Sequence, residues 1–151
     1  GRIAVEAGFV RLPDHAPSMS PEEEALYARI LPLLDGEARF RPPRVRDIAG
    51  TLEMPEPEIR RLLKLAARLG RVDQIARDHF FLRTTTAEMA AIIRTLSSAA
   101  GDGWFGAPAF RDQTQNGRKV AIEILDFFDR LGMTLRRGDL RRVNPHRAQL
   151  F

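Results

Sequence analysis

Four arginines crowd a short stretch near the end of the chain: Arg136 and Arg137, then Gly138-Asp139, then Arg141 and Arg142. Gly-Asp between two short runs reads as the tight turn of a β-hairpin spanning Leu135 to Val143. A two-residue turn sets Arg136 directly across from Arg141, and like charges so placed destabilise a hairpin. A polyanion would relieve that repulsion, whereas a solvated basic hairpin would simply bear it. Upstream, Arg118 and Lys119 stand where a helical pattern begins. The free N–H groups and dipole of a helix start attract a phosphate, and two flanking cations would strengthen the attraction. Arg147 extends the basic patch. The chemistry on offer is anion recognition.

The charge distribution points the same way. Residues 1–83 carry 14 basic and 13 acidic side chains, and residues 84–132 carry 5 and 6. Residues 133–151 carry five arginines against Asp139 alone, so the whole net charge of +4 sits there. Such asymmetry favours a polyanionic partner. A rival surface lies earlier, where Arg60, Arg61, Lys64 and Arg68 fall on one arc of a helix as candidate secondary phosphate contacts. The hairpin that follows it balances Asp73 and Asp78 against Arg71 and Arg77. Catalysis finds no frame: His15, His79 and His146 lack metal-ligand spacing, no P-loop motif occurs, and there is no cysteine. No enzymatic role, metal or cofactor is expected of this stretch. The absence of cysteine favours a cytoplasmic location, and no apolar run approaches the length of a membrane span.

The elements that must position these residues come in a repeated order. Ser20-Pro21-Glu22-Glu23 is a capping box with proline at the first helical position, opening a helix to about Leu34, with Pro32 arguing for a kink or an early end. Arg39-Phe40-Arg41 reads as a short extended piece. Helices follow over Val45 to Leu52 and about Glu58 to Leu69, then strands near Val72 to Ala76 and Phe80 to Leu82. The order then recurs at a spacing of about 65 residues. Thr85-x-x-Glu88 reads as a second capping box, opening a helix to Gly101. Trp104-Phe105 is a short extended piece, 108–113 a brief helix, and 116–132 the third helix. That helix sets Val120, Ala121, Ile124, Leu125, Phe127, Phe128 and Leu131 on one face. On the other, Lys119 with Glu123 and Asp126 with Arg130 have the spacing of intrahelical ion pairs. Helix, short strand, two helices and a hairpin is the winged-helix pattern. The fold class is mainly α with small β: tandem winged-helix domains over 18–83 and 84–151. Residues 1–17 read as the strand-and-loop remnant of a preceding domain, and the opening Gly1-Arg2-Ile3 as that of a fragment or processed piece.

The segment 117–134, with Arg136-Arg137-Gly138-Asp139, Arg141-Arg142 and Asn144-Pro145-His146, resembles the end of bacterial SelB, the selenocysteine-specific elongation factor family. Ser20-Pro21-Glu22 and Pro55-Glu56-Pro57-Glu58-Ile59 are similar to its penultimate domain. The resemblance implies a tail of winged-helix modules whose last member grips the selenocysteine insertion hairpin of an mRNA. It would do so through Arg118 and Lys119 at the third helix start and Arg136, Arg137, Arg141 and Arg142 in the wing. It also implies that GTP and tRNA are handled by a front half absent from this chain, that the ribosome is met through the full-length factor, and that the chain is a monomer. Trp104 and Phe105 are expected in the core rather than as stacking platforms. A DNA-binding winged-helix regulator and a protein-interaction winged-helix pair remain alternatives. The first predicts dimers on a palindrome, the second binding that survives high salt. The middle of the third helix, with Ile122, Glu123 and Asp126, suits neither base reading nor phosphate, which favours RNA over a DNA groove.

Overall fold

The computed structural model describes residues 17–147 and 150–151, and the remnant expected over 1–17 lies almost wholly outside them. Helix α1 (Pro21–Leu34) opens on the expected capping box: Ser20 Oγ accepts from the Glu23 N–H at 3.1 Å, and Glu23 accepts from the Ser20 N–H at 2.8 Å. Pro32 is held in its last turn. Helices α2 (Val45–Leu52) and α3 (Glu56–Arg68) follow, then strands β1 (Val72–Ala76) and β2 (His79–Leu82). The second round comprises α4 (Arg83–Ala99), β3 (Phe105–Gly106), α5 (Ala107–Thr114), α6 (Arg118–Leu131), β4 (Thr134–Arg137) and β5 (Leu140–Val143). Helices α2 and α5, α3 and α6, and strands β1 and β4 begin at 45 and 107, 56 and 118, and 72 and 134, a repeat of 62 residues in each case.

Two local expectations fail, each for a physical reason. Helix α4 starts at Arg83 with no side-chain cap, so Thr85-x-x-Glu88 is not a capping box. The chain passes from β2 directly into the helix, which buries Thr85 and Thr86 inside its first turn. Glu88 instead accepts from Nε and Nη2 of Arg39, at 2.7 and 2.9 Å. Residues 39–41 form turns rather than a strand. The Phe40 carbonyl is taken by the Asn116 amide, and Pro42 and Pro43 have no N–H to offer a sheet. The first sheet therefore has two strands, β1–β2, while the second has three in the order β3-β5-β4.

The core is divided by the first hairpin. On one side Val72, Phe80 and Leu82 join Tyr27, Ile30, Leu34, Ile48, Ile59 and Leu63. On the other, Ile75 and Phe81 join Met89, Ile93, Phe110, Ile124, Leu125 and Phe128. Alternation along a strand sends Phe80 and Phe81 to opposite faces, and both are buried. The same alternation sends Val72 and Ile75 of β1, three residues apart, to opposite sides. A wing that would ordinarily reach outward is thus sealed between two cores. The Arg83 guanidinium fastens it to α4 by gripping Asp73 at two points, both 2.8 Å.

This arrangement makes Phe81, a residue of the first repeat, a core residue of the second. Phe81→Ala is expected to cost about 3–5 kcal/mol. The sequence holds one tryptophan and one tyrosine, Trp104 in the second repeat and Tyr27 in the first core. The unfolding midpoints read at Trp104 fluorescence and Tyr27 absorbance should both fall in this variant. An unchanged Trp104 transition would contradict the shared hairpin.

The shared hairpin also predicts a pH dependence. His79 is 3% exposed, hydrogen-bonded through Nε2 to the Pro42 carbonyl at 2.7 Å, and burial holds its pKa below the ordinary histidine value. The unfolded chain therefore binds a proton more readily than the fold does. Stability is complete above the unfolded pKa of about 6.5 and declines as pH falls below it. Urea midpoints at pH 7.5 and 5.5 should differ in that direction, and His79→Gln should flatten the difference.

Candidate nucleic-acid interface

The second wing is built by a charge network. Register places Arg136 opposite Arg141, as the two-residue turn requires, with Gly138 supplying φ +60°. Their repulsion is relieved from within. Asp126 on α6 accepts from Arg141 at 2.7 Å and lies 3.5 Å from Arg136. Asp129, one turn on, accepts from Arg141 Nε at 3.2 Å and from the Thr134 hydroxyl at 2.6 Å. The facing arginines therefore need no polyanion, and that inference from the sequence is corrected. Arg141 is corrected with it: its side chain is 3% exposed and anchors the wing to α6 rather than offering itself to a phosphate.

These contacts orient the wing. Thr134 meets Asp129 and Arg136 meets Asp126, so β4 runs back along α6 toward the amino end of that helix. Arg136 and Arg137 near its tip are exposed, and Arg136 also donates to the Gly138 carbonyl at 2.8 Å. Arg137 and Arg142 both lie over the Trp104 ring, 4.3 and 5.7 Å from its centroid. Trp104 is half-buried rather than in the core, which corrects the expectation for it. Phe105 is buried as expected. Gly103, at φ +86°, lies close against this stack: a Cβ there would stand 3.0 Å from Arg142 Cδ, so the arginine stem would have to shift by a few tenths of an ångström.

Arg118 and Lys119 are exposed in the first turn of α6, whose Gly117 offers no side-chain cap. The intrahelical pairs expected on α6 do not form. Glu123 takes Arg44 of the first repeat at 3.3 Å, Asp126 takes the wing, and Arg130 donates to the Ile75 carbonyl at 3.3 Å. Arg147 lies at the other end of α6, donating to the Leu131 carbonyl at 3.2 Å, so it caps the helix there. On α3, Arg60 is largely buried and bonded to Asp78 at 2.6 Å, which holds that carboxyl below the usual carboxylate range. Its phosphate role is corrected to a structural one, while Arg61, Lys64 and Arg68 are exposed. Arg41, Arg44 and Arg46 were not singled out from the sequence, yet they line a groove with Asn116 and Gly117 at the start of α6. The only available signal was three arginines within six residues, split by prolines. Among the described residues no group of three or more histidines or carboxylates could hold a metal, and no helix is long and apolar enough to cross a membrane.

Removing the anchor should cost more than removing any exposed wing arginine. Arg141→Ala is expected to lose about 2–3 kcal/mol, because it strips charged hydrogen bonds from two part-buried carboxylates. Arg137→Ala is expected to change stability by less than about 1 kcal/mol. Urea unfolding of the two variants measures both, and equal losses would contradict the network.

A family model described as elongation factor SelB, winged helix, matches residues 98–143. The selenocysteine-specific elongation factor of Escherichia coli (strain K12) is 37% identical over 139 residues, covering 92% of this chain and 22% of that protein. That of Haemophilus influenzae is 29% identical with the same coverages. The chain thus spans about a fifth of the length of these relatives. Among solved structures, the mRNA-binding domain of elongation factor SelB from E. coli, determined in complex with SECIS RNA, superposes with a TM-score of 0.73 and 35% identity, covering 83% of this chain and 99% of that one. Bacterial EF-Sec shares the fold, with a TM-score of 0.58 at 20% identity. With one wing, one helix start and nearly the whole of a solved SelB domain matched at this identity, the chain belongs to the SelB family of selenocysteine-specific elongation factors.

Proposed function

We propose that this region binds an mRNA hairpin, the selenocysteine insertion element, and so tethers the full-length factor to its message during recoding of a UGA codon. One observation carries the reading. The wing that runs back toward the start of α6 holds Arg137 and Arg142 over Trp104 and leaves Arg136 exposed near its tip, while Arg118 and Lys119 crown an uncapped helix end. The similarity to a solved domain in complex with SECIS RNA supports it. The middle of α6 supports RNA over DNA: Glu123 and Asp126 are committed to Arg44 and to the wing, leaving no base-reading side chains where a major groove would be probed. An RNA hairpin offers instead a compact cluster of phosphates and splayed loop bases, suited to guanidinium groups and an aromatic edge.

In this reading residues 18–83 and 84–151 are two winged-helix domains, the second carrying the RNA site, and 1–17 the close of a preceding one. The region works as a monomer without a cofactor of its own. GTP and the ribosome are met by the rest of the factor, in the cytoplasm.

A salt titration of binding to a selenocysteine-insertion hairpin, a loop-scrambled hairpin and a DNA duplex tests this. Tight binding to the first alone is expected, weakening linearly in log–log form with salt. Arg137→Ala/Arg142→Ala should weaken it tenfold or more, since each lost phosphate or stacking contact is worth about 1–3 kcal/mol. Equal binding to all three ligands would reduce the site to a generic polyanion surface. Binding that ignores salt would favour a protein partner.

A further inference from the structure

The arginines of the second wing are held in two different ways. Strand alternation puts Arg136 and Arg141, which are cross-strand partners, on the face toward α6. Carboxylates hold them there: Asp126 and Asp129 accept from Arg141, and Asp126 lies 3.5 Å from Arg136. Arg137 and Arg142 fall on the opposite face, diagonal to each other, since Arg137 pairs with Leu140 and Arg142 with Leu135. Among the described residues no carboxylate or carbonyl takes an N–H from either. Their guanidinium carbons lie instead over the Trp104 ring, 4.3 and 5.7 Å from its centroid.

The face and the edge of a guanidinium group do different work. Every N–H lies in the plane of the group, so a ring against the face attracts the charge and leaves the donors free at the edge. A carboxylate takes the donors themselves. The negative face of the indole also offsets the repulsion between two cations that have no acid between them. Arg137 and Arg142 are thus the wing arginines whose direction is fixed while their hydrogen-bonding capacity is unspent.

The ring can direct them only if it is fixed itself. Asp102 Oδ1 accepts from the Trp104 N–H at 3.0 Å. The Gly103 carbonyl accepts from the Ser97 hydroxyl at 2.7 Å, and the same Ser97 oxygen accepts from the Val143 N–H of β5 at 3.2 Å. On the other side, Phe105 is buried and pairs with Arg141 in the β3–β5 ladder. The backbone around Trp104 is therefore tied to α4 and to the strand that carries Arg142.

We propose that Trp104 is a positioning residue of the RNA site: it holds Arg137 and Arg142 by their faces, so that their free N–H edges meet phosphate oxygens and base edges of the hairpin. The inference rests on the RNA reading above and adds to it a residue that acts through the two arginines without touching RNA. Each arginine restrained in advance loses less rotamer freedom on binding. Removing that restraint from both corresponds to about three- to tenfold in affinity.

The test is a double-mutant cycle on the whole chain, with a selenocysteine-insertion hairpin carrying its full stem. Trp104→Leu keeps an apolar side chain and removes the ring. In the unaltered background it is expected to weaken binding about three- to tenfold with the salt slope unchanged, because both arginines still reach their phosphates. In the Arg137→Ala/Arg142→Ala background it should change affinity by less than about twofold. Trp104→Phe, which keeps a smaller ring, should recover most of the loss. Trp104→Met provides a second ring-free side chain for the same cycle, and helical circular dichroism with a thermal midpoint shows which variants are folded. An equal loss in both backgrounds would mean that Trp104 contacts RNA or merely supports the wing, and overturns the proposal. Unchanged binding by the ring-free variants in the unaltered background overturns it as well. If the unaltered chain does not bind the hairpin, the RNA reading falls and the positioning role with it; a chain that binds but shows no coupling refutes the positioning role alone.

Discussion

A two-stranded hairpin has little stability of its own in water, because it buries too little surface to offset the ordering of its backbone. The β1–β2 hairpin is stable because neither face meets solvent. Phe80 and Leu82 complete one core while Ile75 and Phe81 enter another, so the two winged-helix repeats share an element instead of being strung on a linker. The surface that the first repeat presents follows from this constraint. The first wing is removed from the surface, and the first repeat presents the start of α2 to the start of α6 instead. Arg39–Glu88, Arg44–Glu123 and Asn116 to Phe40 then lock the junction around its rim.

Charge in this protein is sorted into two kinds by geometry. Guanidinium groups that face a carboxylate fix elements to one another: Arg71 to Glu24, Arg83 to Asp73, Arg60 to Asp78, and Arg141 to Asp126 and Asp129. Exposed pairs of this sort contribute little individually, but the part-buried ones at Arg60 and Arg141 set where a hairpin points. The cations left over after this pairing are the ones available to an anionic ligand. Two carboxylates on α6 therefore do two tasks at once. They neutralise a repulsion within the wing, and by burying Arg141 they leave Arg137 and Arg142 over Trp104 and Arg136 half-exposed beside Asp126 as what the wing displays.

Trp104 shows how a side chain can belong to both core and surface. Its backbone lies beside β3, next to buried Phe105, while its ring supports two arginines. A flat ring under planar guanidinium groups restricts their rotamers, so less conformational entropy remains to be lost in any further contact they make. Gly103 contributes by absence, since any Cβ would press on the stem of Arg142. This is preorganisation by stacking rather than by hydrogen bonds.

Much of the molecule could be read from local pattern. Periodicity in Val120 to Leu131, the Ser20 capping box and the Gly138-Asp139 turn act over a few residues, so the six helices, the two hairpins and the register of the second followed from the sequence alone, while the short strand expected at 39–41 and the cap expected at Thr85 did not form. The same holds for the basic end of the chain and for the exposure of Arg118, Lys119, Arg136 and Arg137. What local pattern lacks is the partner of each charge. Arg141 and Arg142 are neighbours of one type, yet strand alternation turns the first toward Asp126 and Asp129 and the second toward Trp104. Thr85 and Glu88 have the spacing of a cap, but the direct entry from β2 buries the threonine and Arg39, 49 residues earlier, claims the glutamate. Phe80 and Phe81 differ only in which core they enter. Sequence determined the elements and the sum of the charge; tertiary packing decided which charges cancel and which remain, because ion pairing and burial depend on distances that span the whole chain.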